Sequence, residues 1–419
     1  MRLWRSTTRE TITGRDTDAA LELFPDSAEV VDDELTVGRA GAAALADEFG
    51  TPLVVYCEET IRARARAYRT AAPDALVVYG TKAFPNVALL RLLAEEGLGA
   101  DVSTLGELRF AQRAGVPGER LVVHGNNKSD EELAAAVDAR AAYVVLDSVE
   151  ELERARAAGV ERMLIRITPG IDADTHESIR TGHVGSKFGV APNEAARLAP
   201  YVDGLHVHVG SQLLALDAAR ETIAWLNRFL DESGWTPQVV DLGGGLGVPT
   251  VPGGHAPSIE EFVDVLVGGL AASAQVILEP GRSLVGHAGV TLYRVGSVKR
   301  SGDRTWVAVD GGISDNARPQ FYDARYTAAI STRMRAATTG TYGVAGKHCE
   351  SGDVLIESVE LADPRRGDLL AVPATGAYTL AMASNYNAVP RPAAVLVANG
   401  EAHVIRRRET FDDVLVAEV

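Results

Sequence analysis

From about residue 50 to residue 285, short apolar runs alternate with Ala-, Glu- and Arg-rich stretches of helical period. The runs are LVVYG (76–80), GADVS (99–103), LVVHG (121–125), YVVLD (143–147), MLIRIT (163–168), LHVHVG (205–210), VVDLGGG (239–245) and VILEPG (276–281). Most are apolar at nearly every position, the pattern of strands buried on both faces of a parallel sheet. Eight such strands with helices between them predict a (β/α)8 barrel over residues 50–285. A doubly wound sheet is the alternative, but it would not need all of them. Beyond Arg282 the helical period thins out. VTLYRVGSVK, TWVAVD, GDVLIESVEL, GDLLAVPA, AAVLVANG and AHVIRRRE read as strands divided by Gly, Asp and Pro turns. They predict a second, mostly antiparallel β-sandwich domain over residues 286–419. Residues 1–49, with one further strand in SAEVVDDELTVGR, are expected to join it.

Composition narrows the class. With 419 residues, 46% hydrophobic and 23% charged, the chain has enough apolar material for two cores. A formal net charge of −16 argues against a nucleic-acid footprint. The two cysteines, Cys57 and Cys349, are too few for a disulfide framework and point to a reducing compartment, hence the cytoplasm. The N-terminal MRLWRSTTRETITGRD lacks the apolar centre of a signal peptide. The most apolar stretch, Val263–Leu278, is broken by Asp264 and Gln275, so no membrane span is expected.

In a (β/α)8 barrel the chemistry gathers where the strands end. Lys82 follows the first strand, Asp101 lies in the second, and His124 and Asn126 follow the third. His206 and His208 are in the sixth, Gly243, Gly244 and Gly245 close the seventh, and Glu279, Gly281 and Arg282 follow the eighth. A glycine run lets backbone N–H groups approach an anion, and barrels commonly bind phosphate after strands 7 and 8. Read alone, the run is also compatible with a tight turn, and Glu279 with Arg282 could be a surface ion pair. Taken together, a lysine, a phosphate cradle and a carboxylate for a ring nitrogen describe pyridoxal 5'-phosphate, with Lys82 as its Schiff-base lysine. His206 and His208, two apart on a strand, share a face. They could be packed core histidines or metal ligands, but the further ligands a metal needs are not evident at the other strand ends. No metal is therefore expected, and stacking on a flat cofactor ring suits one of them better.

Two stretches of the β domain also carry chemistry. DGGISDNARPQFY holds Arg318 and Tyr322, and GKHCESGD holds Cys349 and Glu350 in a polar setting that suits a reactive thiol. TGAYTLAMASNYN adds Tyr378 in a loop of small residues.

The segments YGTKAFPN, GADVSTLGEL, HGNNKSDEEL, HVHVGSQ, DLGGGLG, EPGR, NARPQFY, KHCESGD and GAYTLAMASNYN stand in the order found in the diaminopimelate decarboxylases. From about residue 35 to 410 the sequence resembles that family, pyridoxal-phosphate enzymes of the alanine-racemase-like, fold-type III class. The resemblance implies decarboxylation of meso-2,6-diaminopimelate to L-lysine, the last step of lysine biosynthesis. It implies that Lys82 carries the cofactor, His208 stacks on its ring, and Glu279 pairs with the pyridine nitrogen. Ser211 and Gly243–Gly245 would bind phosphate, with Asp101, Gly281 and Tyr378 also at the cofactor. Arg282, Arg318 and Tyr322 would hold the distal carboxylate of the substrate, and Glu350 its distal ammonium. Cys349 would donate the proton in the active site of a partner subunit, across a head-to-tail homodimer. Ornithine and arginine decarboxylases share the cofactor residues, but a substrate tail ending in a cation has no use for Arg318. A relative acting on D-lysine, ornithine or a specialised-metabolism amino acid, or a catalytically dead binding protein, are the alternatives. Residues 181–189, TGHVGSKFG, fall where a mobile active-site loop is expected, with no role assigned to Lys187.

Overall fold

The eight apolar runs form one closed barrel, seen in a computed structural model that describes residues 21–170, 186–208 and 210–419. Its strands are β1 (Leu76–Gly80), β2 (Gly99–Val102), β3 (Leu121–Val123), β4 (Tyr143–Leu146), β5 (Met163–Ile167), β6 (Gly204–Val207), β7 (Val239–Asp241) and β8 (Gln275–Leu278). Each pairs in parallel with the next, and β8 closes on β1 through Ile277 against Leu76 and Leu278 against Val77. The strands are buried along almost their whole length, which is why they read as unbroken apolar runs.

The helices between them start where the sequence says they should. Asn86, Thr104, Ser148 and Ser258 each accept a backbone N–H at a helix start, and Ser129 with Glu132 forms a full capping box. Their apolar faces pack on the barrel in one core that runs from Tyr56 and Tyr68 through Leu89–Leu93 to Phe262 and Leu266. Truncating one of these fully buried leucines to alanine would cost about 2–5 kcal/mol.

The second domain is built around a 13-residue strand, Gly289–Ser301. Its first half pairs with Leu53–Cys57 and Leu369–Val372, its second half with Arg304–Val309. Ala393–Ala398 joins Leu53–Cys57 in parallel, and Gly340–Ala345 and Val354–Leu361 extend the other end. Two apolar clusters fill it, one around Leu53, Val55, Val290 and Val395 and one around Tyr293, Val307, Val344 and Leu370. Leu53–Cys57 thus lies in this sheet, although its sequence has the same run-then-helix look as the barrel strands.

Instead of one N-terminal strand, the described residues form a small antiparallel sheet in which the hairpin Glu29–Val31 with Glu34–Val37 is extended by Ala40–Gly41. Asp32 and Asp33 turn it with both φ positive (49° and 69°), the hairpin geometry that aspartate tolerates. It docks on the β domain through Leu35 N–H to Ser331 O at 2.7 Å.

The two domains meet beside Lys82. Tyr56 of the β sheet stacks on Phe84, centroids 4.8 Å apart, and Tyr378 N–H donates to Ala83 O at 2.8 Å. The 3-10 turn Thr81–Ala83 that carries Lys82 is therefore held against the β domain.

Candidate active site

At the strand ends the barrel and the β domain enclose a cavity of about 780 Å³. Lys82, His124, His206, His208, Ser211, Gly245, Glu279, Gly281 and Arg282 line it from the barrel, and Arg318, Tyr322 and Tyr378 from the β domain. Residues separated by nearly three hundred positions thus share one space. Asp101 lies buried beneath Lys82, and Gly243 and Gly244 sit behind the wall. Cys349 and Glu350 do not line it: both are exposed.

Lys82 Nζ donates to Asp101 Oδ2 at 3.1 Å. Enclosure in the cavity works against the half-exposed ammonium, but Asp101, and after it Tyr378 and Glu279, outweigh that and hold its pKa above the ordinary lysine value. In the free chain Lys82 is therefore a paired cation, and it must give up a proton before it can act as a nucleophile.

Opposite it, Glu279 is gripped by two imidazoles. His124 Nε2 lies 2.5 Å from Oε1 and His206 Nε2 3.4 Å from Oε2. Burial would raise the Glu279 carboxyl, yet these histidines hold it well below the usual carboxylate range. Asp241, equally buried beside it, is pushed well above that range by burial and by the Glu279 charge. Two neighbouring carboxylates are thereby split into one ionised and one neutral. Burial drives His206 down to about 3, so its imidazole is neutral.

Ligand atoms of His124, His206, Asp241 and Glu279 lie within 4.8 Å of one another, a convergence across the barrel that sequence spacing did not reveal. A divalent ion there would take the one ionised carboxylate away from any cofactor ring, and Glu279 is already hydrogen-bonded within the cluster.

His208 stands parallel to His206, 6.3 Å away, so the two do share a face. Gly244 N–H donates to its Nδ1 at 3.2 Å, which leaves the proton on Nε2. Burial and the Lys82 charge push its pKa well below the usual value.

The glycine run admits no side chain. A Cβ at Gly243 would lie 2.4 Å from His208 Nδ1, at Gly244 2.3 Å from Glu279 O, and at Gly245 2.7 Å from Gly210 O. Gly243 and Gly245 also have φ of +65° and +119°.

At the other end, two buried arginines face the cavity. Arg282 Nη2 donates to Ser211 Oγ at 3.1 Å, and its guanidinium lies 4.6 Å over the Tyr378 ring. Arg318 Nη1 donates to Tyr326 Oη at 2.8 Å. Arg282 Nε and Nη1 and Arg318 Nε are buried with no partner among the described residues. Burial and the Arg318 charge push Arg282 down to about 10, which leaves it a cation at neutral pH. Two buried cations side by side with open donors make a site for an anion.

Several lining residues escaped the sequence reading. Arg166, the lone charge inside the apolar strand β5, is half-buried and lies 4.4 Å over the Phe188 ring. It could have been found by the logic that picked out Lys82, a charge with no packing use in a buried run. Lys187 and Phe188 also line the cavity, whereas residues 181–185 of the expected loop lie outside the described residues.

Comparison with known proteins decides the family. Residues 58–286 match the pyridoxal-binding domain of the pyridoxal-dependent decarboxylases. A diaminopimelate decarboxylase of Actinosynnema pretiosum subsp. auranticum is 43% identical over 429 residues, covering 96% of this chain and 97% of that one. The Bacillus subtilis enzyme of the same name is 41% identical, covering 91% and 94%. The chain belongs to the diaminopimelate decarboxylase family. The M. jannaschii diaminopimelate decarboxylase, solved with L-lysine, superposes with a TM-score of 0.85 at 32% identity, covering 94% of this chain and 98% of that one. The mostly antiparallel β domain beside the barrel agrees with these relatives.

The cofactor that this family implies fits the residues present. The side-chain-free backbone at Gly245 and the Ser211 hydroxyl, both on the cavity wall, suit a phosphate. The ionised Glu279 suits a protonated pyridine nitrogen, and Lys82 is the amine within the same cavity. Among the described residues no helix is long and apolar enough to cross a membrane.

Proposed function

We propose that this protein decarboxylates meso-2,6-diaminopimelate to L-lysine and carbon dioxide, the last step of lysine biosynthesis, as a cytoplasmic homodimer. The observation that carries the substrate is the pair of buried arginines, Arg282 and Arg318, which line the same cavity as Lys82 and keep donors with no partner among the described residues. A substrate tail ending in a carboxylate meets them; an ammonium tail, as in ornithine or lysine, would be repelled.

In this reading Lys82 would hold pyridoxal phosphate covalently, Ser211, Gly243–Gly245 and Gly281 would hold its phosphate, and His208 and Tyr378 would lie at its ring, leaving Arg282 with Arg318 for the substrate. Asp101 sets the charge of the lysine, and Glu279 accepts the ring N–H. When bound, the cofactor supplies an electron-poor ring that takes up the electron pair of the broken carbon–carboxylate bond. His124 and His206 keep Glu279 ionised for that purpose. Arg318 and Tyr322 fix the distal carboxylate and so orient the reacting end.

Cys349 and Glu350, exposed and outside their own chain's cavity, act in the other site of the dimer. Glu350 of the partner subunit reads the distal ammonium, and Cys349 of the partner subunit delivers the proton to the carbon that carbon dioxide leaves. The barrel thus holds the cofactor while the β domain contributes substrate and proton-donor residues. Turnover of meso-diaminopimelate by the cofactor-loaded enzyme tests the reading: carbon dioxide and L-lysine should appear one for one. Absence of either product would overturn it.

A further inference from the structure

The short helix Arg318–Tyr322 faces two ways. Arg318 and Tyr322, four residues apart, lie on one side and line the cavity. Gln320, halfway between them, turns about 200° away and meets the loop that carries Cys349 and Glu350. Its Nε2 donates to Gly352 O and to Val354 O, each at 2.9 Å. Its Oε1 is buried with no partner among the described residues. Turning the amide over would place an oxygen against two carbonyls, so the orientation is set by the loop. An unsatisfied buried acceptor is unfavourable, and the side chain accepts it to keep both donors on the loop.

The same loop is tied to other segments that bear cavity residues. Asp353 accepts Ile313 N–H at 2.7 Å, and Lys347 N–H donates to Gly311 O at 2.9 Å, anchoring it to the turn that leads into Arg318. Asn387, in the loop that begins at Tyr378, accepts Cys349 N–H at 3.0 Å. The first two ties run from the outer loop to the segment that leads into this chain's own substrate clamp.

We infer that Gln320 is a positioning residue for Cys349 and Glu350, and that it joins the distal-group clamp of one site to the proton donor of the other. This rests on the reading that each dimer site combines Lys82 of one chain with Cys349 of the other. Under it, the helix that grips a distal carboxylate in its own cavity also holds the loop reaching the neighbouring cavity.

Differently tagged mixed dimers test it in the holoenzyme. One chain carries Lys82→Ala and keeps Cys349; the other carries Cys349→Ser and keeps Lys82, leaving a single complete site. Recovery of activity in this mixture checks the shared-site reading before Gln320 is touched; no recovery overturns that reading and the inference with it. Gln320→Met, which keeps the volume and loses the donors, is then placed in either chain. In the Cys349-bearing chain it should lower kcat on the order of 10-fold with KM changed less than about twofold. In the Lys82-bearing chain the change in kcat should stay under about twofold. Gln320→Glu, similar in shape with an acceptor in place of the donors, should repeat the asymmetry. No loss in either arrangement, equal loss in both, or loss confined to the Lys82-bearing chain would overturn the inference.

Discussion

Replacing Arg318 with methionine removes a charge from the anion site and leaves its volume filled. In the wild-type chain Arg318 is buried and held by Tyr326, and its Nε has no partner among the described residues. A charge-assisted hydrogen bond to a carboxylate contributes about 1.5–3 kcal/mol net. Orphaning a buried charge costs about 3–5 kcal/mol, but Arg282 stays beside the carboxylate, and the effect of the Arg318 charge on Arg282 shows that the two cations are neighbours. The lower range therefore applies, and kcat/KM for meso-diaminopimelate should fall about 10- to 150-fold. D-Lysine, the same molecule without the distal carboxylate, should change by less than about threefold. Removing a cation from beside Arg282 also relieves repulsion in the free enzyme, against the loss of the donor to Tyr326. The melting temperature should therefore move by no more than about 3 °C. Steady-state carbon dioxide release for both amino acids, with thermal melts, completes the measurement. Unchanged kinetics on meso-diaminopimelate, or an equal fall on D-lysine, would refute the assignment of Arg318 to the distal carboxylate.

Lys82→Ala should abolish turnover and the visible absorbance that borohydride removes from the cofactor-loaded enzyme; a variant that keeps both would displace Lys82 from its role. Gly244→Ala places a methyl 2.3 Å from Glu279 O, so the strand end must shift. Titration with pyridoxal phosphate should show affinity reduced on the order of 10-fold or more, and native affinity would argue against the cradle. Asp315, buried in the β domain and hydrogen-bonded by Tyr293 and Gly312, is pushed up to about 7, chiefly by burial. Its unfolded value is about 3.9, so between roughly pH 4 and 7 the folded chain binds a proton that the unfolded chain does not. The stability this supplies is complete below pH 4, declines as pH rises and is gone above 7. Asp315→Asn lacks that decline, so melts at pH 5 and pH 8 should show the wild type losing more than the variant. Equal losses would show that Asp315 does not titrate there.

Much of the architecture was legible because burial leaves a mark on composition. A strand covered on both faces by barrel and helices cannot carry polar positions, so LVVYG or YVVLD announces itself, and capping residues mark where helices begin. The same signal cannot say which sheet a strand joins. Leu53–Cys57 is as apolar as β1 and is followed by a helix, yet it pairs with Gly289–Ser301 and Ala393–Ala398. Gly340–Ala345, half glycine and threonine at its start, gave too weak a run to be read as a strand.

At the site, residue types that have no packing use stood out, as Lys82, His208 and the glycine run did. Charge states did not. The cationic Lys82, the neutral Asp241 and the ionised Glu279 follow from contacts that bring β1 to β2 and β3 to β8, and spacing along the chain does not encode them. Cys349 was legible as a polar-context thiol, but only the fold shows it turned away from its own cavity.

The most direct test of the account offers the cofactor-loaded enzyme meso-diaminopimelate, D-lysine, L-lysine and L-ornithine in parallel and records carbon dioxide from each. The paired arginines predict the fastest release from meso-diaminopimelate, with kcat/KM for D-lysine lower by about 10-fold or more and little release from the other two. Faster release from L-lysine or L-ornithine than from meso-diaminopimelate would contradict the account, because it would mean that Arg282 and Arg318 do not select a second carboxylate.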